Sequence, residues 1–148
     1  GRTMKRPEQG EVDVAAYSVL LPLPPAGLRR NHEAHWRSRK GLKDRYSAEV
    51  YAETVKQASG PSARLQGPLR AVVEWRQVGR GDCDNALSGA KVVLDCLGAA
   101  PKTMAGADRY YCGWYESDEQ IEEITVRRVR VHTKAAEGVK LIIWSVLT

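Results

Sequence analysis

Cysteine is scarce in this chain of 148 residues, and the three that occur, Cys83, Cys96 and Cys112, are odd in number and show no paired CxxC spacing. Disulfide frameworks and zinc knuckles need paired cysteines at short intervals, so both are excluded, and a reducing cytosol fits best. Long apolar runs are also missing. No stretch approaches the roughly 20 residues that span a bilayer, and Gly1-Arg2-Thr3-Met4 has none of the apolar character of a secretory signal. No membrane partner is expected. Internal repeats and long linkers are absent too, so the chain reads as one domain over residues 4–148, a length at which a real core can be buried. Gly1 to Thr3 read as residues added before Met4 and receive no structural role.

What is present alternates between strand-like and helix-like patterns. Val12 to Leu23 is apolar and predicts a first strand closed by Pro24-Pro25, since proline cannot donate ladder hydrogen bonds. Leu42 to Ala58 carries Leu42, Tyr46, Val50, Tyr51, Thr54 and Val55 at mostly helical spacing and stops at Gly60-Pro61. Leu69 to Val78 interleaves Val72, Val73, Trp75 and Val78 with polar residues and runs into Gly79-Arg80-Gly81-Asp82, which predicts a central strand delivering Asp82. Leu87, Ala90, Leu94 and Leu97 then form one apolar helical stripe ending at Gly98, with Asp84 or Asn85 as its N-cap. Ala99 to Glu116 shows no period and reads as an irregular loop. Ile124 to Val131 and Val139 to Leu147 predict two closing strands joined as a hairpin across Lys134 to Gly138. The expected architecture is α+β: a single small domain with a mixed β-sheet and helices packed largely on one face.

The chemistry concentrates at Asp82-Cys83-Asp84-Asn85, with Lys91 seven residues past Asp84 and Asp118-Glu119 further on. Carboxylates one residue apart diverge on a regular strand but converge where a strand gives way to a turn, and Gly79 and Gly81 make such a turn available. Hard cations such as Mg²⁺ take oxygen ligands and keep several waters. Lys91 lies two helical turns beyond Asp84, roughly 10 Å along the axis, with its side chain leaning back toward the helix N-terminus. Asp95, four residues on, has the spacing of an ion-pair partner that would orient the lysine. Each piece alone has a plainer account: a turn with an N-cap, a solvated pair, an exposed acidic turn. Their conjunction reads as a divalent-metal site. Cys83, between two acids that would raise its pKa, is a poor nucleophile.

The run from Asp82 to Gly98, Asp-Cys-Asp-Asn-Ala-Leu-Ser-Gly-Ala-Lys-Val-Val-Leu-Asp-Cys-Leu-Gly, resembles the signature of the RusA family of Holliday-junction resolvases. That signature is D-x-D-N, a helical lysine, an apolar-Asp-x-Leu segment and a later acidic motif, whose place is taken here by Ser117-Asp118-Glu119-Gln120-Ile121. The Asp84-to-Lys91 spacing resembles the longer, phage-encoded branch, and Tyr17 to Pro25 resembles the family's opening strand and Pro-Pro turn. The likeness covers most of the domain, with its strong motif confined to residues 82–121. It implies a Mg²⁺-dependent endonuclease, with Mn²⁺ as a substitute, acting as a homodimer on branched DNA in a bacterial or phage-infected cell. Asp82, Asp84 and Asp118 would be metal ligands and Lys91 the catalytic lysine, with Asn85, Asp95 and Glu119 in support. Two departures stand out: Ser117 replaces a first Asp, thinning the acidic cluster unless Glu119 or Asp95 compensates, and the loop from Ala99 to Glu116 is long.

The net charge of +5 is concentrated in Arg29, Arg30, Arg37, Arg39, Lys40, Lys43 and Arg45, which surround Asn31, His32, His35 and Trp36. Such a segment suits phosphate contacts, and Trp36 suits stacking on an unpaired base. A solvated loop is the competing account. Arg127, Arg128 and Arg130 read as an exposed strand face. Tyr110-Tyr111-Cys112-Gly113-Trp114-Tyr115 would stack on DNA or pack on a partner subunit. The expected activity is resolution of four-way junctions by paired phosphodiester cuts. The rivals are a flap- or fork-cutting nuclease with the same site and a non-catalytic branched-DNA-binding protein.

Overall fold

The computed structural model describes residues 16–29, 36–79, 83–99 and 111–146. Among these, the elements in chain order are β1 (Ala16–Leu21), α1 (Ala26–Arg29), α2 (Trp36–Lys56), β2 (Leu69–Val78), α3 (Cys83–Leu97), β3 (Ile121–Val131) and β4 (Gly138–Ser145). They form an α+β domain around one mixed sheet of order β1-β4-β2-β3. β1 and β2 each pair antiparallel with β4, while β2 and β3 run parallel.

Parallel strands need a long crossover, and α3 with the segment after it supplies that here. Alternation along β2 sends Leu69, Ala71, Val73 and Trp75 to one face, where β4 adds Val139, Leu141 and Ile143 and β1 adds Val19 and Leu21. Against this face lie Tyr46 and Val50 of α2 and Ala86, Ala90, Val93 and Leu97 of α3, all buried. The α3 stripe is thus offset from the expected one, because Ala86 takes the inward position and Leu87 is left 39% exposed. Gly89 is the point of closest approach between helix and sheet, since a Cβ there would collide with the Trp75 ring.

The expected hairpin between the last two strands does not form, for β4 inserts between β1 and β2 and leaves β3 at the sheet edge. The residues explain this. β4 is apolar on both faces, with Ile142 and Trp144 half-buried opposite its core side chains, and such strands belong inside a sheet. β3 exposes Glu122, Glu123, Arg127, Arg128 and Arg130, the charge pattern that protects an edge. At the other edge, Gln57 of α2 closes the Leu20 backbone as a neighbouring strand would. Its Nε2 donates to the Leu20 carbonyl at 2.7 Å, and its Oε1 accepts from the Leu20 amide at 3.0 Å.

The aromatic run after the long loop is also assigned differently by the structure. Tyr111, Trp114 and Tyr115 are buried rather than offered to DNA or a partner, and Tyr110 lies outside the described residues. Main-chain bonds from Trp114 to Leu97 (2.8 Å) and from Gly113 to Gly98 (3.1 Å) lay this segment along the end of α3. Among the described residues, no helix is long and apolar enough to cross a membrane.

Candidate functional site

Asp118 is presented by a rigidly capped turn. Ser117 sits in extended conformation (φ −149°, ψ 145°) and its hydroxyl accepts from the Glu119 amide at 3.2 Å, while the Gln120 side chain accepts from the Ser117 amide at 3.1 Å. This is a capping box, in which two backbone donors are satisfied reciprocally. Gln120 also accepts from the Glu116 amide (2.9 Å) and donates to the carbonyls of Leu65 (3.1 Å) and Gly67 (2.9 Å). One amide therefore staples the acidic turn to the entry of β2. The serine that thins the acidic cluster is the residue that caps this turn. The Ser-x-x-Gln spacing carries that role in the sequence, although it was not among the expectations above.

Asp118 opens onto a cavity of about 470 Å³ that Asp95, Lys43, Ser117, Tyr111 and Tyr115 also line. Lys43 of α2 brings its Nζ to 3.4 Å from Asp95 Oδ2. Asp95 thus pairs across the α2–α3 packing with Lys43 and not, as its spacing predicts, with Lys91 one turn earlier. Burial raises the Asp95 carboxyl above its ordinary pKa, Lys43 opposes this, and the like charge of Asp118 adds to it. The Tyr115 phenol is held well above its usual range, first by burial and then by Asp95 and Asp118. Its hydroxyl donates to the Leu94 carbonyl, fixing the cavity wall to α3.

The D-x-D-N end lies elsewhere. Asp82 is outside the described residues, as are the side chains of Cys83 and Asp84. α3 begins at Cys83, so Asp84 and Asn85 fall inside its first turn instead of capping it, a place where the helix dipole favours an acid. Eleven residues separate Asp84 from Asp95, about 16 Å along the axis at 1.5 Å per residue. β3 starts beside Leu69, at the opposite end of β2 from Val78, so its parallel pairing carries Asp118 to the far end of α3. Asp84 and Asp118 therefore occupy opposite ends of the helix, and one chain does not bring them to one ion. Among the described residues, no three His, Cys, Asp or Glu side chains group so as to hold a metal.

Between the two ends, Asp84, Leu87, Ser88, Lys91 and Asp95 fall on one flank of α3 by helical offset, and Leu87 and Lys91 on that flank are exposed. Lys91 is thus accessible along a line of acids. Glu119 is exposed beside Asp118.

Of the residues expected to contact DNA, Arg30, Asn31 and His35 lie outside the described residues, as do the side chains of Arg29, Trp36 and Arg37. The remaining cations have partners within the chain. Arg39 Nη1 donates to the Gly27 carbonyl at 3.0 Å, tying α2 to α1. Lys40 pairs with Asp44 at 3.1 Å one turn on, and Lys43 serves Asp95. The exposed Lys40–Asp44 pair is weak enough for a phosphate to displace.

No family model matches the chain, and no curated protein matches it in sequence.

Proposed function

We propose that the protein is a divalent-metal-dependent endonuclease acting on branched DNA, with the four-way junction as its substrate. The observation that carries this reading is the polar flank of α3, where an accessible lysine stands between Asp84 at one end and the Asp95–Asp118 cavity at the other. A core helix has no packing need for such a line, since its apolar stripe is complete on the opposite side. Carboxylates of this kind suit a hard cation that keeps several waters, and Mg²⁺ in that role activates water and stabilises a leaving oxygen. Lys91 would face the negative charge of a transferring phosphate. The basic stretch between residues 29 and 45 supports the DNA assignment, because phosphate contacts supply affinity without sequence information.

The test is incubation of a synthetic immobile four-way junction with purified protein, with and without Mg²⁺, mapping cuts on every strand and running flaps and linear duplex in parallel. Paired cuts on opposing strands of the junction are expected. Preferred cutting of flaps would reassign the substrate, and tight, salt-sensitive binding without Mg²⁺-dependent cutting would make the protein a binding module. Asp84→Asn is expected to abolish cutting and leave junction binding within about twofold.

A further inference from the structure

We infer that the acids of this chain are two half-sites, and that a second copy completes each one by bringing its Asp84 end of α3 to the Asp95–Asp118 cavity of the first. This rests on the nuclease reading above and says where its site is assembled. Two carboxylates that share an ion have oxygens only a few ångströms apart, whereas α3 holds Asp84 about 16 Å from Asp95 along its axis. No side-chain rotation closes that gap within one chain.

A two-fold arrangement closes it. An axis crossing α3 at right angles, midway between Asp84 and Asp95, sets the two helices antiparallel and places Asp84 of each copy level with Asp95 of the other. Packed helices approach to 8–10 Å between axes, near enough for facing carboxylates to share an ion with its waters. The interface is isologous, so the same contact occurs twice and yields two equivalent sites. Leu87 lies close to that midpoint on the open flank and is 39% exposed, the apolar contact that such a pairing would bury. The Asp95–Asp118 cavity opens at the end of the same flank, ready to receive the other helix start. The two sites would stand about 16 Å apart along the helix pair, which ties the two cuts of a junction to one dimer.

The deciding experiment uses full-length chains carrying Asp84→Asn and Asp118→Asn, co-expressed with different affinity tags and purified as the mixed dimer over two successive columns. Mn²⁺ binding, read by electron paramagnetic resonance, and Mg²⁺-dependent nicking of a four-way junction are measured on the same samples. Each variant alone should lose both, and the mixed dimer should recover one intact site: about half the wild-type Mn²⁺ and single nicks without paired cuts. No recovery in the mixed dimer, or undiminished Mn²⁺ binding by either variant alone, overturns the inference. If the wild type binds Mn²⁺ but cuts no DNA, the nuclease reading fails while the mixed-dimer binding count still decides the assembly. If it does neither, both fall. Leu87→Arg adds a reading independent of the acids, with sedimentation expected to show a monomer; a persisting dimer, or a monomeric wild type, also overturns the inference.

Discussion

Gly89 of α3 sits against the indole of Trp75 so closely that no side chain fits between helix and sheet. The ring cannot easily turn aside, because its Nε1 donates to Gln77 Oε1 at 3.0 Å and its body is buried. Gly89 lies within the acid-bearing helix, so its role is to seat that helix on β2 and fix where the polar flank faces.

Gly89→Ala sets two effects against each other. Alanine favours a helix interior by about 1 kcal/mol, while overpacking a dense core costs about 1–3 kcal/mol. A net loss of about 1–2 kcal/mol is expected, visible as a lowered urea midpoint with unchanged slope.

Gln120→Ala removes two donated and two accepted hydrogen bonds at the turn that carries Asp118. At about 0.5–1 kcal/mol net for partly exposed bonds, a loss of about 1–3 kcal/mol is expected. Faster amide exchange at Glu116 and Ser117 should accompany it. Gln120→Glu keeps the acceptor and loses the donor, so it should fall between wild type and alanine in a denaturant titration.

The Asp95 carboxyl is raised above the ordinary 3.8, mainly by burial. The folded state therefore holds this proton longer than the unfolded state. Stability from this group is fully present below pH 3.8 and is lost as pH rises through the folded midpoint. Lys43→Met removes the opposing cation and should move the Asp95 midpoint upward, widening that window, whereas Asp118→Asn removes a like charge and should move it downward. Carboxyl-carbon NMR titration of Asp95 in the three proteins checks both signs.

Burial pushes the Cys96 thiol up to about 12 and the Cys112 thiol up to about 11. At pH 8 each is thiolate to roughly one part in a thousand or less, so neither should react appreciably with iodoacetamide in the folded protein. Peptide mass spectrometry after a short pulse should find both unmodified, and both fully alkylated once urea exceeds the unfolding midpoint.

Local pattern made parts of this fold legible. β2 was readable to the residue because Pro68 and Gly79 bound a clean alternation, and α3 because its apolar stripe is strong and ends at Gly98. Strand order was not, since whether β4 pairs with β3 or with β1 and β2 is decided by which surfaces remain to be covered after α3 crosses over. The same crossover defeats the reading of one three-acid pocket. Asp82, Asp84 and Asp118 look convergent along the chain, but the parallel β2–β3 pairing sends the helix back over the sheet before Asp118 appears. The Lys43–Asp95 pair joins residues 52 positions apart, and no periodicity reports such a contact.

The central place of β4 also has a consequence for biosynthesis. A nascent chain that has emerged only as far as Lys134 holds β1 on one side and the β2–β3 pair on the other, with nothing to hydrogen-bond between them. The sheet becomes continuous only after the ribosome releases the segment from Gly138 to Ser145. Until then the apolar face of β2 is open along one edge, and chaperones are best placed to act in that interval.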